Sequence, residues 1–456
     1  MGICGLTGSS SSGALDSIRA GGNTAAGRRR AVGWALCLAL VVGLLPGALA
    51  AKASGGSKLA GIPIARPAIC SQGALGTCFA SAAARKKSAK CTAATRKSKS
   101  CGVAARKAAK KKAAVKKKPK SFASATSTKQ SSPDGLGPEQ IRGAYSLPSA
   151  APLAQTIAIV TAFDDPSAES DLAVYSSAYS LPSCTSANGC FRKLNVFGQE
   201  RPLPPVEATW ALETSLDVQI AHAVCSNCKI LLVEAPSASI LDLLDAIDTA
   251  VALGANEISN SWVVDEFSSQ TDYDSRLNHP GVVITAASGD TANRVQWPAS
   301  SPFVTAVGGT TLTVSNNARV NESSWSLGGS GCSRYESKPA WQTDAGCSHR
   351  MIPDVAAAGD PSSGAAVYDS YGLSGRRGWF KIGGTSLAAP IIAAVYALAG
   401  NAAQVVAGSY PYAHSDSLFD IRSGATGSCT QSYLCTTGIG YDGPSGLGSP
   451  NGTSAF

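Results

Sequence analysis

A serine opens an expected helix in the stretch Gly383-Gly384-Thr385-Ser386-Leu387-Ala388-Ala389-Pro390. The two glycines allow another backbone to come close. The free amides and positive dipole end of a helix start favour an oxyanion beside Ser386. The same pattern suits a serine that merely caps a buried helix. A serine nucleophile needs a base. The chain has four histidines, His222, His279, His349 and His414, and none stands in a His-Gly-Thr setting. Glu213 and Asp217 offer another route, because a helix over 205–224 puts both carboxylates on one face, one turn apart. Two carboxyls held close resist double ionisation, so the pair shares a proton and one pKa rises. A glutamate tuned in this way can take the proton of Ser386. Trp210, Leu212, Leu216, Ile220 and Ala223 around the pair are apolar or small, which points to a packed helix rather than a solvated acidic stripe.

These residues need a rigid frame. The runs TIAIVT (156–161) and KILLVE (229–234) read as buried strands, and 257–262, 282–287 and 303–307 as further short ones. Helical periodicity fills 239–253, ending at Gly254, and 386–399. Apolar strands alternating with helices predict an α/β fold with a mainly parallel sheet covered by helices on both faces.

From about residue 136 to 456 the chain resembles the sedolisin family of serine-carboxyl peptidases, which share the subtilisin-like fold. The family's ExxxD helix falls on Glu213 and Asp217. Its Ser-Gly-Thr-Ser motif falls on Gly383–Ser386, with Gly in first place. Ser288-Gly289-Asp290 resembles the turn that carries the family's oxyanion aspartate, and 297–310 resembles the segment that follows it. Ser259-Asn260-Ser261-Trp262 resembles the substrate-cleft strand, and 350–355 the stretch before the nucleophile helix. The resemblance implies peptide-bond hydrolysis with Ser386 as nucleophile, Glu213 as base, Asp217 as its support and Asp290 as a protonated donor to the oxyanion. Activity would then belong to acid pH, since an ionised Asp290 would repel the oxyanion. Asp164-Asp165 stands where a subtilisin carries its triad aspartate; without a triad histidine the pair reads as structural. The resemblance also implies one structural calcium ion, with side-chain oxygens from Asp420 and Asp442 and carbonyls from Ile421, Gly438 and Gly440. That donor set suits a hard cation.

The net charge of +9 conceals two opposite parts. Residues 51–132 hold 20 Lys and Arg and no acid, whereas 133–456 hold 15 basic and 29 acidic residues. Residues 1–50, with Arg28–Arg30 ahead of an uncharged run to Ala50, read as a signal peptide or a membrane anchor. Residues 51–135 read as a low-complexity basic arm and linker, of which 83–120 reads as disordered or loosely helical, and as too polar to be the large folded prosegment usual in the family. The arm is either a solubilising tether or a means of attraction to anionic polymers, membranes or the acidic domain itself. Beyond the leader's Cys4 and Cys37, twelve cysteines remain. Cys184/Cys190, Cys225/Cys228, Cys332/Cys347 and Cys429/Cys435 pair closely in sequence and read as local disulfides of an exported protein. The Cys225-x-x-Cys228 spacing also admits a redox or metal reading. The expected protein is secreted and monomeric, acts on proteins or peptides, and has no specific nucleic-acid partner. The rival expectation is a non-catalytic surface protein working through its basic arm.

Overall fold

The computed structural model describes residues 63–71 and 133–456. The expected leader and most of the expected arm lie outside the described residues. Two short strands come first, β1 (Arg66–Pro67) and β2 (Cys70–Ser71), before helix α1 (Pro138–Ala144). The body continues through β3 (Thr156–Ala162), α2 (Ala168–Ala178), β4 (Phe191–Asn195), α3 (Ala208–Val224), β5 (Lys229–Ala235) and α4 (Ile240–Ala252). Next come β6 (Glu257–Asn260), β7 (Trp262–Asp265), β8 (Val283–Ala287), β9 (Gln296–Trp297), β10 (Thr305–Ser315) and β11 (Ala318–Ser324). Then follow β12 (Gly331–Ser337), β13 (His349–Ile352), β14 (Val355–Ala358), β15 (Ala365–Leu373), β16 (Arg376–Gly383) and α5 (Thr385–Ala399).

The central sheet has eight strands in the order β11-β10-β8-β6-β3-β5-β4, with β14 also paired to β10. All of its pairings are parallel except β10 with β11. Strand β3 explains why these runs read as unbroken apolar stretches. Ile157 and Ile159 enter one core with α2, α3 and α5, while Ala158, Val160 and Ala162 enter the other with α4. Both faces are buried, so both sets of side chains are apolar. Each fully buried Leu or Ile contributes about 1.5–3 kcal/mol.

Helix α3 starts three residues later than expected, because Pro204-Pro205 leads to Glu207, whose carboxylate caps the amides of Thr209 and Trp210 at 3.0 Å each. The expected strand over 257–262 divides at Ser261 into β6 and β7, which join different sheets. The expected strand at 303–307 is longer, because β10 runs on to Ser315 and turns back into β11. The disulfides Cys184–Cys190, Cys225–Cys228, Cys332–Cys347 and Cys429–Cys435 join the pairs expected from sequence. Among the described residues no helix is long and apolar enough to cross a membrane.

Candidate active site

Helix α3 is buried along its length, polar residues included: Glu213, Ser215, Asp217, Gln219 and His222 are all at or below 1% exposure. Its rotation is fixed by paired polar contacts. Gln219 donates from Nε2 to the Tyr368 carbonyl (2.7 Å) and accepts from the Tyr368 amide (2.9 Å). Ser215 donates to Asp165 Oδ2 at 3.0 Å, and Asp165 Oδ1 accepts from the Ser167 amide at 2.8 Å. Asp164 holds Lys193 at 2.6 Å. The aspartate pair after β3 therefore orients α3 and the loop before α2, in line with the structural reading of these two residues.

With its rotation set, α3 turns Glu213 and Asp217 toward α5. Ser261, the residue that breaks β6 from β7, donates from Oγ to Asp217 Oδ1 at 2.7 Å. Its Oγ also lies 3.3 Å from the Ser386 carbonyl. That carbonyl lacks its usual intrahelical partner, because the residue four further on is Pro390, which has no amide hydrogen. Ser386 Oγ donates to the Ser261 carbonyl at 3.2 Å. Both Glu213 oxygens and Asp217 Oδ2 are buried without a well-aligned hydrogen-bond partner. Burial holds Glu213 well above the usual carboxylate range, and the charges of Asp217 and Asp290 add to this, while nearby Ser386 opposes it. Burial likewise raises Asp217, against the opposing bond from Ser261.

Asp290 follows β8 in a turn where Gly289 has φ 102°, in the left-handed region that favours glycine. Its Oδ1 accepts from the Thr385 amide (2.8 Å) and the Thr385 hydroxyl (3.0 Å), tying it to the residue before Ser386. Burial pushes its pKa up to about 6, against the opposing Thr385 bonds and the Arg66 charge. Gly384, with φ 111°, leaves the space between Asp290 and the start of α5 open: a methyl there would sit 2.9 Å from Asp290 Oδ2. The structure thus brings Glu213, Asp217, Asp290 and Ser386 together. Ser261 and Thr385 complete the arrangement. Sequence placed both inside recognised motifs without assigning them a role, because their partners lie 44 and 95 positions away.

The histidines are engaged elsewhere. His222 Nε2 lies 2.9 Å from the Pro182 carbonyl, His279 Nε2 2.9 Å from the Arg276 carbonyl, His349 Nδ1 3.1 Å from Ser348 Oγ and His414 Nδ1 2.9 Å from the Tyr410 carbonyl. Near the C-terminus, Asp442 Oδ2 accepts from the Gly438 amide (2.8 Å) and Oδ1 from Ser445 (2.9 and 2.8 Å). Asp420 accepts from the Gly440 amide at 3.2 Å and from Arg422 at 2.7 Å. Gly440 has φ 76°, the backbone form that brings this loop round to Asp420. Burial raises Asp442 to about 7, and the charge of Asp420 adds to it. Two converging carboxylates in a glycine turn fit a hard cation, with Arg422 as the competing charge on Asp420.

One expectation is corrected. The low-complexity arm and linker were expected to span 51–135, yet residues 66–67 and 70–71 form β1 and β2, and this stretch lies on the candidate site. Ala65, Ala68, Ile69 and Cys70 are buried. The sequence here, Pro63-Ile-Ala-Arg-Pro-Ala-Ile-Cys70, is apolar apart from Arg66 and free of lysine, unlike the tract that follows. Its two prolines already favour extended backbone, which lowers the entropy lost on docking.

Residues 208–409 match the Subtilase family. Sedolisin of Pseudomonas sp. (strain 101) is 38% identical over 175 residues, 34% of this chain and 28% of that protein. Kumamolisin of Bacillus sp. (strain MN-32) is 31% identical over 278 residues, 53% of this chain and 49% of that protein. The chain thus spans half or less of the length of these relatives. A solved structure of Pseudomonas sedolisin, described as a serine-carboxyl proteinase complexed with pseudo-iodotyrostatin, superposes with TM-score 0.60 at 27% identity, covering 70% of this chain and 96% of that one. The fold, the order of the motifs and these likenesses agree: the chain is similar to the sedolisin family.

Proposed function

We propose that this protein hydrolyses peptide bonds in acidic surroundings, with Ser386 as nucleophile and a carboxyl pair in place of histidine. Ser386 Oγ attacks the scissile carbonyl carbon while Glu213 takes its proton. Asp217, held by Ser261, retains the pair's other proton and steadies Glu213. The Ser386 amide and protonated Asp290 donate to the oxyanion, and Glu213 passes its proton to the leaving amine. Water then releases the acyl group by the same route. The observation that carries this reading is the meeting of a helix-start serine with two buried carboxyls, Glu213 and Asp217, three of whose four oxygens lack a partner, and with a third, Asp290, tied to the adjacent threonine. An Asp290 pKa of about 6 supports acid action, because its donor form is lost above that point.

The disulfides among the described residues support export to an oxidising compartment. Asp420 and Asp442, with carbonyls of Ile421, Gly438 and Gly440, would hold one calcium ion, which would clamp the C-terminal loop. The protein would act as a monomer on proteins or peptides, and the Lys/Arg-rich tract of residues 83–120 would attract anionic surface polymers. The test is hydrolysis of denatured casein across a pH series. Wild type should cleave in acid, and Ser386→Ala should be inactive though folded. Cleavage by Ser386→Ala at the wild-type rate would reject the reading.

A further inference from the structure

The chain fills its own cleft, and fills it as a substrate would. The Pro63 carbonyl accepts from the Ile240 amide (3.2 Å), and the Ala65 amide donates to the Ala238 carbonyl (2.7 Å). Arg66 and Pro67 pair antiparallel with Val263 and Trp262 of β7. The Ala68 amide donates to the Ser261 carbonyl at 3.1 Å, and the Ala68 carbonyl accepts from the Ser386 amide at 2.9 Å. Beyond it, Cys70 and Ser71 pair with Gly383 and Ile382 of β16. One extended backbone therefore enters on β7, presents a single carbonyl to the nucleophile's own amide, and leaves along β16. Gly384 is needed for this path, because a methyl there would strike the Ala68 carbonyl oxygen and lie 2.9 Å from Ile69 Cα.

The side chains are also accommodated. Ala68 packs with Val263, Ala287 and Ala389, and Ile69 is wholly buried. The Arg66 guanidinium lies 3.0 Å from Asp265 Oδ1. Gln296 donates to the same oxygen at 2.9 Å, and Arg294 reaches Oδ2 at 2.8 Å. Asp265 is thus aimed at the position two residues before the carbonyl on Ser386.

We propose that Ala68–Ile69 is a bond this domain cuts in its own chain, and that Asp265 selects it by holding a basic side chain two residues upstream. The proposal rests on the peptidase reading above. Ser386 Oγ bonds to the Ala68 carbonyl carbon as its proton moves to Glu213. The carbon–nitrogen bond to Ile69 breaks as that nitrogen takes the proton. Water then attacks the Ala68 acyl carbon and loses a proton to Glu213, which returns it to Ser386 Oγ. The products carry a carboxylate at Ala68 and an amine at Ile69. A cut here removes the apolar run of residues 31–50 and leaves the Lys/Arg-rich tract of 83–120 on the catalytic domain.

The test uses the whole chain as wild type, Ser386→Ala, Arg66→Glu, Asp265→Lys and the double variant Arg66→Glu/Asp265→Lys. Each is incubated in acid and followed by intact mass and N-terminal sequencing, with denatured casein hydrolysis measured in parallel. Wild type should yield a new N-terminus at Ile69, and Ser386→Ala should stay uncut. Each single charge reversal should slow the cut about tenfold or more, equivalent to about 1.4 kcal/mol, and the double reversal should restore it. Casein hydrolysis without an Ile69 terminus would overturn this proposal and leave the peptidase reading standing; failure of both would overturn the two together. Independently of how the variants fold, processed wild-type enzyme is given Ile-Ala-Arg-Pro-Ala-Ile-Ala and its Arg→Glu counterpart. A preference of about tenfold for the arginine peptide, expressed through KM, is expected. Equal kcat/KM for the two peptides would remove Asp265 from selection.

Discussion

Two sets of carboxylates lie equally deep in this molecule and are treated in opposite ways. Asp354 is fully buried and fully paired. It receives Arg350 through two bonds of 2.6 and 2.5 Å, the Ala306 amide at 2.8 Å and the Tyr412 hydroxyl at 2.9 Å. Glu213 and Asp217 are just as dry, yet three of their four oxygens lack a well-aligned donor and no cation stands beside them. A buried charge with a full set of partners stays charged and ties elements together; here it joins the β13–β14 region to β10 and to the C-terminal segment. Buried carboxyls short of partners keep their protons loosely assigned, as proton transfer requires. The carboxyl group is the same, and the supply of donors decides the role.

Changes that remove the carboxylate should therefore have opposite effects in the two places. Glu213→Gln removes the proposed base and leaves no stranded charge. Turnover should fall by up to about ten-thousandfold, while resistance to denaturant is kept or increased. Marked destabilisation by this variant would show that Glu213 is a structural anion. Asp354→Ala leaves Arg350 buried and unpaired, and should cost about 3–5 kcal/mol in chemical unfolding. A loss below about 1 kcal/mol would erase the contrast.

Smaller effects should follow from pH and from metal. Burial raises Asp290 to about 6, Asp165 to about 7 and Glu234 to about 9. In the unfolded chain such groups ionise near ~4. Between those values the native state binds more protons than the unfolded state, so stability falls as pH rises. The calorimetric Tm should drop by about 5 °C from about pH 5 to about pH 8 at fixed calcium and salt. A Tm that rose over this range would contradict the assignment of these carboxyls as buried and neutral. Calcium at about tenfold over its Kd should raise Tm by about 2–4 °C, and Asp442→Ala should abolish that rise. Equal melting of metal-free and calcium-loaded wild type would reject the site.

The sheet was legible because its inner strands are buried on both faces, so TIAIVT and KILLVE read as unbroken apolar runs. The β15–β16 hairpin and β11 were not, since they alternate buried and exposed residues and include Asp369, Arg376 and Glu322 within strands. Glu213, Asp217 and Ser386 were legible from local spacing and helix position. Ser261 and Thr385 were not, because a serine or threonine has no evident role until its distant carboxylate is placed. The Pro63–Cys70 stretch was hidden by the lysine tract beside it. Its order depends on β7, β16 and α5, nearly 200 or more positions away.

The central claim is that carboxyls, and not a histidine, set the chemistry, with Asp290 as a protonated donor. The most direct measurement is kcat/KM against pH for wild type and Asp290→Asn, each in its processed form. Wild-type activity should fall as pH rises through about 6, as Asp290 loses its proton. Asparagine donates at every pH, so the variant should lose that descending limb while its overall rate drops. The same limb at the same pH in Asp290→Asn, or its disappearance on replacing a histidine instead, would contradict the account.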